Sequence, residues 1–168
     1  MGFLKGKTAI ITGGGRSVLK DGSCGSIGYG IATAYAKEGA NLVITGRNKQ
    51  KLADAKEELE RLYNIEVLPV QADVSAGADN ETVVQNVIDE TIAKFGRIDV
   101  LINNAQASAS GVAANEWGPD GINANIICPL AWTAQLENFQ QAYPEAFEAN
   151  VKMPPAGHYG DVEKEIGR

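Results

Sequence analysis

The stretch Lys7-Thr8-Ala9-Ile10-Ile11-Thr12-Gly13-Gly14-Gly15-Arg16, resumed at Ser26-Ile27-Gly28-Tyr29-Gly30-Ile31-Ala32, decides the fold. A short apolar run enters a glycine-rich turn, and the turn opens a helical pattern. In this layout backbone N–H groups and a helix N-terminus approach a pyrophosphate with no side chain in the way. Gly13, Gly28 and Gly30 would equally serve a tight strand-to-helix turn. The flanking strand and helix favour the phosphate reading.

Outward from this stretch, 168 residues with 44% hydrophobic and 21% charged composition predict one globular domain, residues 1–168. A net charge of -6 argues against nucleic-acid and anionic-membrane partners, both of which need a basic surface. Any anionic ligand must then be held by local groups. Cys24 and Cys128 are far apart, with no CxxC spacing and a single histidine in the chain, so neither a disulfide framework nor a zinc site is expected. A reduced, cytoplasmic setting fits, and no apolar run approaches the length a bilayer requires.

Periodicity extends the pattern. Ile27 to Glu38 reads as a helix stopped by Gly39, Leu42 to Thr45 as a second strand, and Lys49 to Tyr63 as an amphipathic helix with Leu52, Ala55, Leu59 and Leu62 inward. Val67 to Gln71 is a third strand. Asn80 to Phe95 repeats apolar residues at helical spacing (Val84, Val87, Ile88, Ile92) before Gly96, and Val100 to Asn103 is a fourth strand. Strands alternating with such helices predict an α/β fold, a Rossmann-type doubly wound parallel sheet of about five strands, incomplete. Beyond Asn104 the rhythm fails: Val112 to Trp117 reads as the last turns of a helix, and Asn123 to Cys128 as a fifth strand ending at Pro129. The tail from Ala131 onward reads as helices and loops over the carboxyl ends of the strands, with Trp132, Leu136, Phe139, Tyr143 and Phe147 as anchors.

Thr12-Gly13 with Gly28 and Gly30, Ala72-Asp73-Val74, Asn103-Asn104-Ala105, and Glu116-Trp117-Gly118-Pro119-Asp120-Gly121-Ile122 leading to Cys128-Pro129 resemble the short-chain dehydrogenase/reductases. The 3-oxoacyl-ACP reductase-like and hydroxysteroid dehydrogenase-like members are the most similar. The resemblance covers nearly the whole chain in family order and implies ketone/secondary-alcohol interconversion with a nicotinamide cofactor. There are departures. The glycine turn holds about eight extra residues, Val18 to Gly25, and Ser26 stands where a glycine is usual, as in the enoyl-ACP reductase branch. Gln106 replaces the glycine of Asn-Asn-Ala-Gly.

The larger departure concerns catalysis. The family's chemistry uses a Tyr whose pKa is lowered by a Lys four residues on, with a Ser orienting the carbonyl. Here Tyr29, Tyr35, Tyr63, Tyr143 and Tyr159 are followed at the fourth place by Thr33, Gly39, Val67, Phe147 and Glu163. No catalytic residue is therefore assigned. Between Gly111 and Val112 the resemblance implies two helices and a strand that the chain lacks, and its C-terminus stops before the family's last strand. An incomplete sequence and a shortened product would both give this pattern; in the second case, missing sheet-covering helices would leave apolar strand surface exposed.

The candidate cofactor-binding residues are Thr12, Gly13, Arg16, Ser26, Ile27, Gly28, Arg47, Asp73, Val74, Asn103, Ala105, Pro129 and Thr133. Arg16 is read either on the cofactor phosphates or as a solvated loop charge. Gly46-Arg47 stands where a carboxylate would accept from a ribose 2′-OH; a glycine leaves room for a 2′-phosphate and a guanidinium pairs with it. NADP(H) is thus favoured over NAD(H), against the plainer reading of a surface arginine opening a helix. By resemblance Asp73 accepts from the adenine amino group while Val74 packs on the ring, the alternative being a loop-capping Asp. Asn103 ties neighbouring strands or lines the site with Ala105. Pro129 and Thr133 resemble the Pro-x-x-x-Thr segment that holds the nicotinamide carboxamide. Trp132 either lines a substrate pocket or packs the tail. Lone His158 is given no role, and Glu57 to Arg61 reads as a solvated helix face.

Two functions follow: an NADP(H)-dependent short-chain oxidoreductase acting in its complete form on a small-molecule carbonyl or alcohol, with a homo-oligomer left open for that form, or a non-catalytic dinucleotide-binding remnant. A purely structural module would bind no nucleotide.

Overall fold

The computed structural model describes residues 2–74, 77–105, 131–151, 153–154 and 157–166. The sequence-predicted helix end at 112–117 and strand at 123–128, with Gln106 and Pro129, lie outside the described residues. Among the described residues four parallel strands form the sheet: β1 Thr8–Thr12, β2 Asn41–Gly46, β3 Val67–Gln71 and β4 Val100–Ile102. Between them run α1 Ile27–Lys37, α2 Lys49–Tyr63 and α3 Asn80–Phe95, the last preceded by a 3-10 turn, Gly77–Asp79. The tail carries α4 Ala134–Ala142, α5 Pro144–Asn150 and a π-helical turn, Val162–Ile166.

Strand order is β3-β2-β1-β4. The chain therefore winds outward from β1 through β2 to β3, then returns across the sheet to lay β4 on the other side of β1. Register runs Thr8 against Asn41 to Thr12 against Thr45, and Ala9 against Val100 to Ile11 against Ile102.

Side chains alternate across the pleat. Ala9, Ile11, Leu42, Ile44 and Val67 point to one face, where Tyr29, Ala32 and Ala36 of α1 and Leu52, Ala55 and Leu59 of α2 cover them. Ile10, Val43 and Val70 point to the other, where Val87 of α3 meets them. Full burial of a residue such as Ile11 or Leu59 stabilises by roughly 1.5–3 kcal/mol.

The two faces are unequal. On the α3 side Val84 is 40%, Ile92 46% and Leu101 of β4 52% exposed. Among the described residues the expected inward stripe of α3 thus narrows to Val87 and Thr91, with Ile88 half-buried. Leu62, expected inward on α2, is also exposed, in the last turn of that helix.

Local signals set the helix ends. The Asn48 side chain accepts the Lys51 N–H at 3.0 Å and caps α2, and Asn64, at φ 52, ends it in the left-handed conformation. Gly96, at φ 70, does the same for α3. Helix α1 closes at Lys37, one residue short of the expected Glu38; β2 is longer than expected by Asn41 and Gly46, and β4 stops at Ile102.

The tail only partly follows its expected course. At α4 it meets the glycine loop near the carboxyl edge, where the Ala134 N–H donates to Gly25 O at 2.8 Å. It then leaves that edge. Val162, fully buried, packs on α1 at Gly30, where a Cβ would lie 2.2 Å from Val162 O. Among the described residues no helix is long and apolar enough to cross a membrane.

Candidate functional site

The winding direction reverses between β1 and β4, so a crevice opens at their carboxyl ends, the place where open α/β sheets take ligands. Thr12, the last residue of β1, is buried there. Its hydroxyl donates to Ile102 O at 3.3 Å and accepts the N–H groups of Asn104 and Ala105, each at 2.9 Å. The Asn104 side chain returns the tie, Nδ2 donating to Thr12 O at 2.8 Å. Asn103, the residue expected to join the strands, is exposed; Asn104 makes the tie instead. The sequence placed an Asn-Asn pair here, but the phase at which β4 ends decides which of the two turns inward.

Gly13 follows with φ 70, a left-handed conformation that favours glycine. Against it sits Gly28 in the first turn of α1, where a Cβ would lie 2.2 Å from Gly13 O and 2.5 Å from Asn104 Nδ2. Glycine at 28 is required by this contact, which brings the helix N-terminus up to the crevice. The turn's own amides are partly committed elsewhere: the Gly14 N–H donates to Thr45 O at 3.0 Å, and the Arg16 N–H to Lys51 O at 2.9 Å.

The first turn of α1 is arranged differently. Ser26 holds the N-cap position, but its hydroxyl accepts from Ser17 N–H and donates to Gly15 O, leaving the helix without a side-chain cap. No acidic residue stands in that turn. An uncapped helix N-terminus at Ile27 and Gly28, carrying the positive end of the helix dipole, can receive a phosphate.

At the end of β2, Gly46 has room. An added Cβ would meet the Leu52 side chain at an ordinary 3.6 Å, so among the described residues neither packing nor backbone conformation calls for glycine there. Arg47 is exposed beside it, its carbonyl accepting from Gln71 Nε2. Lys49 and Lys51 follow in the first turn of α2, which holds no acid. Cations at a helix N-terminus oppose the dipole, so this placement, in a chain of net charge -6, suits an anionic ligand group. These residues fit a dinucleotide, whose phosphates are anionic groups of the kind the α1 N-terminus and Arg47 can receive.

The remaining candidates are dispersed around this centre. Asp73 is exposed and Val74 half-buried just past β3, at the same carboxyl edge. Ala105 is anchored to Thr12. Thr133 caps α4, its hydroxyl accepting the Leu136 N–H at 3.2 Å. Arg16 points away from the edge, its guanidinium donating to Glu58 and lying 5.9 Å from the Tyr29 ring centroid. Glu58, read from sequence as part of a solvated face, is thus half-buried and bonded; Tyr29 Oη donates to it at 2.5 Å. Burial, then the Glu58 carboxylate, pushes the Tyr29 hydroxyl far above its usual pKa, so it stays a neutral phenol. Burial likewise raises the Cys24 thiol, which donates to Ser26 O at 3.4 Å.

Trp132 sits in the tail against Phe147, edge to face at 6.1 Å, and against Tyr159 at 5.4 Å. These rings line an open cleft of ≈400 Å³ with Val151 and Met153.

A family model described as short chain dehydrogenase matches residues 7–113. The 12alpha-hydroxysteroid dehydrogenase of Clostridium sp. is 45% identical over 238 residues, covering 100% of this chain and 89% of that protein. That span exceeds the 168 residues of the chain, so the relative carries a block with no counterpart here. L-Sorbose reductase from Gluconobacter frateurii, solved with NADPH and L-sorbose, is 32% identical over 64% of this chain and 36% of its own, with a TM-score of 0.53. An NAD+-bound xylitol dehydrogenase is 28% identical over 62% of this chain and 35% of its own, TM-score 0.52. The chain spans about a third of the length of both structures. The parallel sheet, its reversal beside Thr12, the glycine turn and the match over more than half of the residues agree: the chain belongs to the short-chain dehydrogenase family.

Proposed function

We propose that this chain holds NADP(H) for a short-chain oxidoreductase interconverting a ketone and a secondary alcohol, with a hydroxysteroid as substrate class. The observation that carries the cofactor choice is Gly46. No contact among the described residues requires a glycine there, and an arginine follows it. The NADPH bound to the sorbose reductase supports the same choice; the NAD+ on the xylitol dehydrogenase marks the alternative. For the substrate, identity to the 12alpha-hydroxysteroid dehydrogenase along the whole chain favours a steroid alcohol over a 3-oxoacyl thioester.

When bound, the nicotinamide supplies or accepts the hydride. The chain's own residues bind and orient it. Ile27 and Gly28 present the α1 N-terminus to the pyrophosphate, Arg47 pairs with the 2′-phosphate, Asp73 and Val74 hold the adenine, and Ala105 borders the ribose. Thr133, with Pro129, flanks the carboxamide. The Tyr-x-x-x-Lys acid has no counterpart in residues 1–168, so proton delivery is not assigned to any of them.

Calorimetric titration of the 168-residue chain with NADPH and NADH tests the reading. NADPH is expected to bind more tightly, and Arg47→Ala to weaken NADPH while leaving NADH unchanged. Absence of binding by either dinucleotide overturns the proposal. Equal affinity for the two overturns the NADP(H) assignment alone.

A further inference from the structure

Arg16 leaves the glycine turn beside the dinucleotide site, yet its charge is spent elsewhere. Its backbone N–H donates to Lys51 O at 2.9 Å, which sets its backbone against the first turn of α2, the helix that Arg47 precedes. From there the side chain runs back between α1 and α2. Nε donates to Glu58 Oε2, and Nη2 stands 3.5 Å from Oε1. Glu58 lies two helical turns beyond Lys51, roughly 10 Å further from the crevice edge.

The receiving end is built rather than incidental. Tyr29, 2% exposed, aims its hydroxyl at the same Glu58 oxygen at 2.5 Å and offers its ring to the guanidinium at 5.9 Å. Tyr29 adds no charge of its own, so among the described residues the carboxylate bonds one cation, Arg16, and one neutral donor. Arg16 and Glu58 side chains are each 27% exposed, so the pair is accessible enough to part and shielded enough to matter.

Arg16 therefore has an anion below it and, in the function proposed above, a phosphate beside its backbone anchor. We propose that Glu58 and Tyr29 form a holding site for the Arg16 guanidinium, that a 2′-phosphate competes with Glu58 for it, and that Glu58 thereby sets the preference for a phosphorylated over an unphosphorylated dinucleotide. The inference rests on the proposed cofactor site. Glu58 is a positioning residue here, acting only through Arg16. A dinucleotide without the 2′-phosphate leaves Arg16 on Glu58; one with it must break that pair first, and the cost lowers its affinity.

The test is the ratio of NADH to NADPH dissociation constants, measured by calorimetry on the 168-residue chain and its variants. Glu58→Gln removes the charge that holds Arg16, and the ratio is expected to rise about tenfold through tighter NADPH binding, the effect of one hydrogen bond to a charged group. Tyr29→Phe, which keeps the packing, is expected to raise it less and serves if the first variant does not fold. Arg16→Ala is expected to lower the ratio, and Glu58→Gln added to it to change nothing further. A purely structural Glu58 would weaken both dinucleotides equally; that outcome, or an unchanged ratio, overturns the inference. So does a Glu58→Gln effect that survives Arg16→Ala. If the parent chain binds neither dinucleotide, the cofactor reading falls and this inference with it.

Discussion

Asn104 and Thr12 hold each other across the crevice by reciprocal hydrogen bonds, the Asn104 carboxamide donating to Thr12 O at 2.8 Å and the Thr12 hydroxyl accepting the Asn104 N–H at 2.9 Å. The pair sets the separation of β1 and β4 at the mouth of the crevice. Thr12→Val keeps the shape but deprives two backbone N–H groups of their acceptor. It is expected to cost about 1–3 kcal/mol, and Asn104→Ala about 1 kcal/mol, read as shifts of the urea midpoint at constant m. Both are expected to weaken dinucleotide binding beyond this loss of stability.

Two glycines separate packing from backbone strain. At Gly28 a Cβ would collide with Gly13 O at 2.2 Å, whereas at Gly96, with φ 70, nothing stands within 4 Å. Gly96→Ala is expected to cost about 1–2 kcal/mol through the left-handed conformation alone, with dinucleotide binding intact. Gly28→Ala is expected to cost about 1–3 kcal/mol by overpacking and to abolish binding, because α1 must move off the crevice. Denaturation curves and calorimetry on the two variants distinguish the mechanisms.

Gly46 gives a specificity prediction. Its Cβ site is open apart from Leu52 Cδ2 at 3.6 Å, so Gly46→Asp is expected to fold normally. The new carboxylate would accept from a ribose 2′-OH and repel a 2′-phosphate. NADPH affinity is expected to fall by about a hundredfold, near 3 kcal/mol, with NADH affinity unchanged or improved.

Asp99 predicts how stability responds to acid. Hydrogen bonds from Arg97, then from the Thr8 N–H, then from Lys7, hold its carboxyl well below the ordinary value of 3.8. A depressed folded-state pKa stabilises fully above the unfolded value and is lost as pH falls through the folded one. The parent chain is therefore expected to lose this contribution progressively below pH 3.8, and Asp99→Asn, already lacking it, to show a shallower acid dependence. Thermal midpoints of both proteins between pH 7 and pH 3 check the difference.

Much of the fold was legible from residue spacing. The bounds of β1, α2, β3 and α3 follow from apolar periodicity and from local stop signals such as Gly96, all of them properties of contiguous chain. What escaped was set by distant contacts. Glu58 looks solvated in a run of charges, and only the packing of α1 on α2 brings Tyr29 and Arg16 to it. The choice of Asn104 over Asn103 depends on where β4 leaves its register with β1. Of the candidate site, the glycine turn was readable because backbone approach leaves a compositional mark. The tail's seat on Gly30 was not, since a glycine inside a helix looks the same whatever lies against it.

The unequal faces of the sheet bear on how the molecule opens. Among the described residues, α1 and α2 pack over one side while Val84, Ile92 and Leu101 stand exposed on the other, so the described contacts fasten the β1–β2–β3 flank more firmly than α3 and β4. Native-state amide exchange is expected to be slowest in β1 and β2 and to reach the global limit there, while α3 and β4 exchange through smaller openings. The Thr12–Asn104 crevice lies on the seam between these two regimes. A dinucleotide seated in it would grip both, so its binding energy is expected to surface as slowed exchange in β4.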